Sequence, residues 1–190
     1  KADSDQVASY LERAGLTRTE TAEEADLVLI NSCVVREHAE VKVVNKLKSL
    51  KGFKRSRPEV TIALTGCLVD SRIDDLKERF PWVDLFFRPQ QWEVFSKWAE
   101  SRGLPGLNER EDSVPQNPPV SAYVPIMHGC DSFCSYCVVP YRRGRARSRD
   151  LGEIRCQVQN LVQRGTREVT LLGQIVDAYG HDLPSKPDLA

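Results

Sequence analysis

Residues 60–67 read VTIALTGC, a mostly apolar run of strand length that ends in a turn-forming Thr-Gly pair and a cysteine. The same arrangement stands earlier in ADLVLINSC (25–33), where Asn31 and Ser32 precede Cys33. Strands that are apolar on both faces and alternate with helices form a parallel sheet covered on two sides. Helical spacing fits 3–14, stopped by Gly15, then about 35–51, 69–80 and 90–100, where Trp92, Phe95 and Trp98 fall three residues apart; VDLFF (83–87) fits a third strand. Sites in such sheets form at the carboxyl ends of the strands, which is where Cys33 and Cys67 lie. Delivered to one rim, the two thiols are candidate metal ligands. The plainer alternative is a pair of inert buried thiols, since free cysteine is among the most buried residue types.

The chain has 190 residues, 41% hydrophobic and 28% charged, which is enough for one full domain and part of another. Its formal net charge is zero, against a chain that grips nucleic acid along its whole length. Residues 1–120 carry 18 Lys and Arg against 20 Asp and Glu, and the remainder 9 against 7, so any basic surface is local. No signal peptide or long apolar run is visible, and a cytoplasmic, non-membrane protein is expected. Six cysteines in a chain of this size without a secretory signal favour metal binding or catalysis over a disulfide framework.

Residues 103–120 hold four prolines, two glycines and several acidic groups without apolar periodicity, and read as a linker between a domain at 1–102 and a second at 121–190. The second opens with the strand-like AYVPIMHGC (122–130). A helix around 150–164, closed by Gly165, and a strand at 167–173 complete a βαβ unit.

Between them, GCDSFCSYC (129–137) places Cys130, Cys134 and Cys137 at C-x3-C-x2-C. Structural zinc takes four protein ligands, so zinc here needs His128 or a distant cysteine as the fourth. A four-iron cluster held by three thiolates instead leaves one iron open for a small molecule's own ligating atoms. Spacing alone leaves both open.

The loop, with an aromatic at Tyr136 just before its last cysteine, resembles the radical S-adenosylmethionine (SAM) enzymes. The longer string GCDSFCSYCVVPYRRGRARSR (129–149), with REVTLLGQ (167–174), NSCVVREHAE (31–40) and LTGC (64–67), resembles the methylthiotransferase family within them, nearest its tRNA-acting, MiaB-type branch. The resemblance implies a Rossmann- or flavodoxin-like α/β domain followed by the start of a partial (β/α) barrel. It implies SAM and two [4Fe-4S] clusters: a radical cluster on Cys130, Cys134 and Cys137, and an auxiliary one on Cys33, Cys67 and a third cysteine expected before Lys1. It also implies a chain shortened at both ends, since the family continues into the rest of the barrel and a small RNA-binding domain.

The implied reaction adds a methylthio group to C2 of N6-isopentenyladenosine beside the tRNA anticodon. One SAM supplies the methyl group and a second the radical, because an aromatic C–H has no acidic proton and the cofactor must carry the hard step. The expected partners are the anticodon stem-loop of tRNA, a reducing protein and a sulfur donor, acting on a monomer. Tyr136, Gly173 and Gln174 are expected at the SAM site, although the family's LLGQNVN stands here as LLGQIVD, with Ile175 and Asp177 departing.

Arg142, Arg143, Arg145, Arg147 and Arg149 put five guanidinium groups into eight positions, suited to RNA phosphate or the SAM carboxylate; the alternative is a solvated basic face. Gly173 reads either as room for the methionine moiety or as a plain strand-ending turn. Cys156, inside a helix, is expected to be structural, and His128 a hydrogen-bonding neighbour of the loop. The competing functions are a ribosomal-protein methylthiotransferase and, from another class, a zinc-stabilised RNA-binding module without catalysis.

Overall fold

The computed structural model describes residues 2–33, 37–69, 73–88, 91–105, 114–115 and 118–187, and within them the run at 60–67 becomes the middle strand of a parallel sheet. Strand β2 (Thr61–Gly66) is buried at every residue between β1 (Leu27–Ser32) and β3 (Leu85–Phe86). β1 and β2 pair in register from Leu27↔Thr61 to Ser32↔Gly66. Ile62 and Leu64 share a core with Val44, Leu47 and Leu50 of α2 (Glu37–Ser56) and Leu76 of α3 (Ile73–Arg79). Each such fully buried aliphatic side chain is worth about 1.5–3 kcal/mol. Phe95 and Ala99 of α4 (Trp92–Ser101) are wholly buried, and Phe95 stacks on both Phe87 and Trp98.

These elements lie in one compact unit, Thr17–Leu107. The third strand is shorter than its apolar run because Asp84 pairs through its side chain as well as its backbone. Its amide donates to the Ile62 carbonyl, its carboxylate accepts the Ile62 amide at 2.8 Å, and Lys54 Nζ neutralises that carboxylate at 2.9 Å.

The second unit comprises Asn108–Ala190 together with Lys1–Leu16. Here β4 (Ser121–Pro125) pairs in parallel with β7 (Glu168–Leu172), and α6 (Leu151–Gln163) lies between them in sequence, as the βαβ reading expects. α1 (Ala2–Arg13) packs on β4 through this unit, with Val7 and Tyr10 buried. The apolar run at 122–130 is not one strand. Ile126 donates its amide to Leu172 and accepts the amide of Arg149, so the chain changes partners there. β5 (Met127–His128) then pairs antiparallel with β6 (Arg147–Ser148).

Much of the expected linker, 106–113 and 116–117, lies outside the described residues. Val114, within it, is 1% exposed and belongs to the core of the second unit, and its carbonyl accepts Arg13 Nη2 at 2.7 Å. Among the described residues no helix is long and apolar enough to cross a membrane.

Candidate functional site

In the first unit, Cys33 and Cys67 follow directly on the last register pair of β1 and β2, so adjacent parallel strands carry them to the same rim. Cys67 is buried and Cys33 exposed; neither is in a disulfide. The polar residues before them explain the local fold. Ser32 Oγ donates to the Thr65 carbonyl at 2.7 Å and accepts the Leu68 amide at 2.9 Å, while the Cys67 amide donates to the Ser32 carbonyl at 3.0 Å. Gly66 adopts φ +94°, and a Cβ there would lie 2.2 Å from the Ser32 carbonyl oxygen, so no other residue fits the closure of the two strand ends. The Thr65 hydroxyl, buried at this rim, has no hydrogen-bond partner among the described residues. Arg36, Glu37 and His38, part of the string at 31–40, have side chains outside the described residues.

In the second unit, the three-cysteine loop leaves β5 and enters α5 (Val139–Arg143), an element the apolar spacing did not reveal. Cys130 is buried, Cys137 half-buried and Cys134 exposed. The loop is held by its flanks. The Cys130 amide donates to the Gly144 carbonyl, and the Asp131 carboxylate accepts Arg145 Nε at 2.8 Å and the Ala146 amide at 3.1 Å. Gly129 is required at φ +70° because a Cβ would sit 2.0 Å from the Arg145 carbonyl oxygen. Phe133 takes φ +44°, an uncommon and strained backbone for an aromatic residue, with its ring beneath the Arg145 guanidinium and edge-on to Tyr141.

Among the described residues no three His, Cys, Asp or Glu side chains are gathered closely enough to hold an ion. The donor chemistry of the loop nevertheless fits a cluster. Three unbridged thiols share one short loop, and the Ser132 amide already points at Cys130 Sγ, 3.4 Å away, as amides do toward cluster thiolates. Gathering of ligands and binding of metal are coupled events.

The arginine run is split among several elements. Arg142 and Arg143 are half-buried on α5 and both are engaged; Arg145 holds Asp131; Arg147 is exposed on β6 opposite His128. Arg149 turns inward, its Nη1 donating to the Pro125 carbonyl at 2.6 Å and to Gln157 Oε1 at 2.8 Å, and burial lowers its pKa. It braces the end of β4 against α6. Tyr136 is 90% exposed and Gln174 is exposed. Gly173 has a packing reason of its own, since a Cβ there would lie 2.7 Å from Met127 Cγ. Cys156 is exposed on α6, with Asn160 Nδ2 3.7 Å from its sulfur, so it fills no core position.

Sequence reasoning missed Asp131 and Ser32 as organising side chains. Their signal is positional: an acid one residue after the first loop cysteine and fourteen before Arg145, and a hydroxyl just before a strand-end cysteine.

Residues 1–88 match the model described as uncharacterized protein family UPF0004, and residues 124–183 match the radical SAM superfamily. The chain is 52% identical over 190 residues to tRNA-2-methylthio-N(6)-dimethylallyladenosine synthase of Dehalococcoides mccartyi (strain CBDB1), covering 100% of this chain and 43% of that protein. The synthase of the same name from Herpetosiphon aurantiacus is 43% identical over 193 residues, covering 99% of this chain and 43% of that protein. That of Clostridium botulinum (strain Okra) is 38% identical over 201 residues, covering 99% and 45%. The chain thus spans less than half the length of these curated relatives.

Proposed function

This chain belongs to the radical SAM methylthiotransferase family, MiaB-type, and from that premise we propose that it is part of an enzyme placing a methylthio group on C2 of N6-isopentenyladenosine beside a tRNA anticodon. The observation that carries the reading is the loop at 129–137: three unbridged cysteines at C-x3-C-x2-C, entered from a strand and left into a helix, in a chain 52% identical to a synthase of that name. Membership of the radical SAM superfamily implies SAM and a [4Fe-4S] cluster.

Cys130, Cys134 and Cys137 are the ligands of that cluster, which when bound supplies the electron for reductive cleavage of SAM. Gly129 and Asp131 fix where the loop begins, through the Arg145 carbonyl and guanidinium. Met127, packed where a side chain at 173 would stand, leaves the backbone at Gly173 and Gln174 to border the SAM site. Tyr136 offers an exposed ring there, and Arg142, Arg143 and Arg147 provide cations for the SAM carboxylate or RNA phosphate. Arg145 and Arg149 position the loop and strand rather than touch substrate. Cys33 and Cys67 hold a second, auxiliary cluster with a cysteine outside this sequence, and the buried Thr65 hydroxyl supports a polar occupant at that rim. The functional domains divide at 1–102 and 121–190. Partners are tRNA, a reducing protein and a sulfur donor, and the enzyme works as a monomer in the cytoplasm.

The test is anaerobic reconstitution with iron and sulfide, followed by SAM and dithionite. The expected outcome is 5′-deoxyadenosine from the wild type and none from Cys130→Ala/Cys134→Ala/Cys137→Ala. Stoichiometric zinc without iron overturns the reading and leaves a structural RNA-binding module. In the full-length enzyme, methylthio transfer to a ribosomal protein instead of isopentenylated tRNA would assign the other branch.

A further inference from the structure

Helix α2 carries Lys42, Lys46, Lys48, Lys51, Lys54 and Arg55 against only Glu37 and Glu40, in a chain of zero net charge. Lys54 is neutralised by Asp84, and Arg57, just beyond the helix, by Asp26 and Glu59. Lys42, Lys46, Lys48, Lys51 and Arg55 are exposed, and among the described residues none of them sits in an ion pair, although Lys51 Nζ lies 5.2 Å from the centroid of the Trp82 ring.

Their spacing makes two rows. Lys42 and Lys46 lie four apart on one flank of the exposed face; Lys48, Lys51 and Arg55, at i, i+3 and i+7, lie on the other. Between the rows runs an uncharged strip of Asn45, Ser49, Gly52 and Ser56, all exposed, in which the hydroxyls of Ser49 and Ser56 fold back onto the helix carbonyls of Lys46 and Phe53. Gly52 is the independent sign of a partner. Glycine is the poorest helix former after proline, and a Cβ at 52 would meet nothing within 4 Å, so packing inside the protein gives no reason for it. A backbone approaching from outside does.

We propose that this face of α2 docks the phosphate backbone of the RNA substrate, with the two rows of cations straddling a phosphate track that passes over Gly52. The inference rests on the tRNA reading above and adds a contact surface far in sequence from the three-cysteine loop. Cations spread over about 20 Å of helix axis suit a repeating polyanion better than a single small anion.

The test measures binding of a synthetic anticodon stem-loop RNA across a salt series, for the wild type, Lys42→Gln/Lys46→Gln, Lys48→Gln/Lys51→Gln/Arg55→Gln, Gly52→Leu, and the control Lys97→Gln. Melting curves establish that each variant is folded. Each lost phosphate contact lowers the slope of log K against log salt by about 0.7–0.9, so each multiple variant is expected to flatten it, while Lys97→Gln leaves it alone. Gly52→Leu is expected to weaken binding about tenfold with no loss of helix. Unchanged slopes in folded variants, with wild-type RNA binding intact, overturn this inference alone. Absence of any RNA binding by the wild type overturns the tRNA reading and this surface with it.

Discussion

Arg149 stands in a run of five arginines that reads as a ligand-binding string, yet its guanidinium serves the protein's interior. Nothing in the residue type distinguishes it from Arg147 two positions earlier. Strand alternation alone would put both on one face; the difference comes from the end of β6 at Ser148, beyond which the Arg149 amide bonds to the Ile126 carbonyl and its guanidinium turns to Pro125 and Gln157. Its carbonyl accepts the Tyr179 hydroxyl at 3.0 Å, and Tyr179 is 2% exposed. Burial, with Asp150 and Asp182 nearby, raises the Tyr179 pKa against the smaller opposing pull of Arg149. A raised pKa means that the folded state holds the phenolic proton more tightly than the unfolded chain. The corresponding stability is complete below the ordinary tyrosine value of about 10 and is lost as pH climbs through the higher folded value. Tyr179→Phe should therefore cost about 1 kcal/mol at neutral pH from the lost hydrogen bond. Thermal melts from pH 9 upward should show a shallower alkaline fall for the variant than for the wild type; parallel curves would mean that the hydroxyl does not report on folding.

At the scale of elements, apolar runs located the strands because buried parallel strands have little freedom in composition, and β2 is the clearest case. Short elements made by side-chain capture were not legible. β3 ends where Asp84 takes over a backbone role, and β5, β6 and α5 exist because the cysteine loop closes on Gly144 and Arg145, contacts with no periodic signature. The Cys33 and Cys67 rim was legible, since both strands announce their ends with a cysteine, but the Ser32 relay joining them was not. Helix α6 was placed from spacing and is started by a visible device: Asp150 precedes it, and its carboxylate accepts the Glu153 amide at 3.2 Å. Removing such a cap costs about 1 kcal/mol. Asp150→Ala should lower the unfolding free energy by that amount, read as a lower denaturant midpoint with an unchanged slope, and Asp150→Ser should recover most of it.

At the scale of the whole chain, two cysteine groups lie in two units that the structure builds from separate cores, Cys33 and Cys67 beside β1 and β2, and Cys130, Cys134 and Cys137 between β5 and α5. Each group is organised by contacts within its own unit: Ser32 and Gly66 in one, Gly129, Asp131 and Arg145 in the other. Metal binding draws on local preorganisation and on thiolates, so the loss of one set should leave the other able to bind. The proposed two-cluster reading predicts that, in a full-length protein, Cys33→Ala/Cys67→Ala and Cys130→Ala/Cys134→Ala/Cys137→Ala each remove about four irons per chain. The combined variant should remove the sum, because sites without shared ligands contribute additively. SAM added to the reduced protein should perturb the electron paramagnetic resonance signal in the Cys33→Ala/Cys67→Ala protein, where the open-iron site survives, and should leave no such response after loss of the 130–137 thiols. Loss of all iron on removing either set would mean that the two groups share one cluster, and would overturn the assignment of separate sites to separate units.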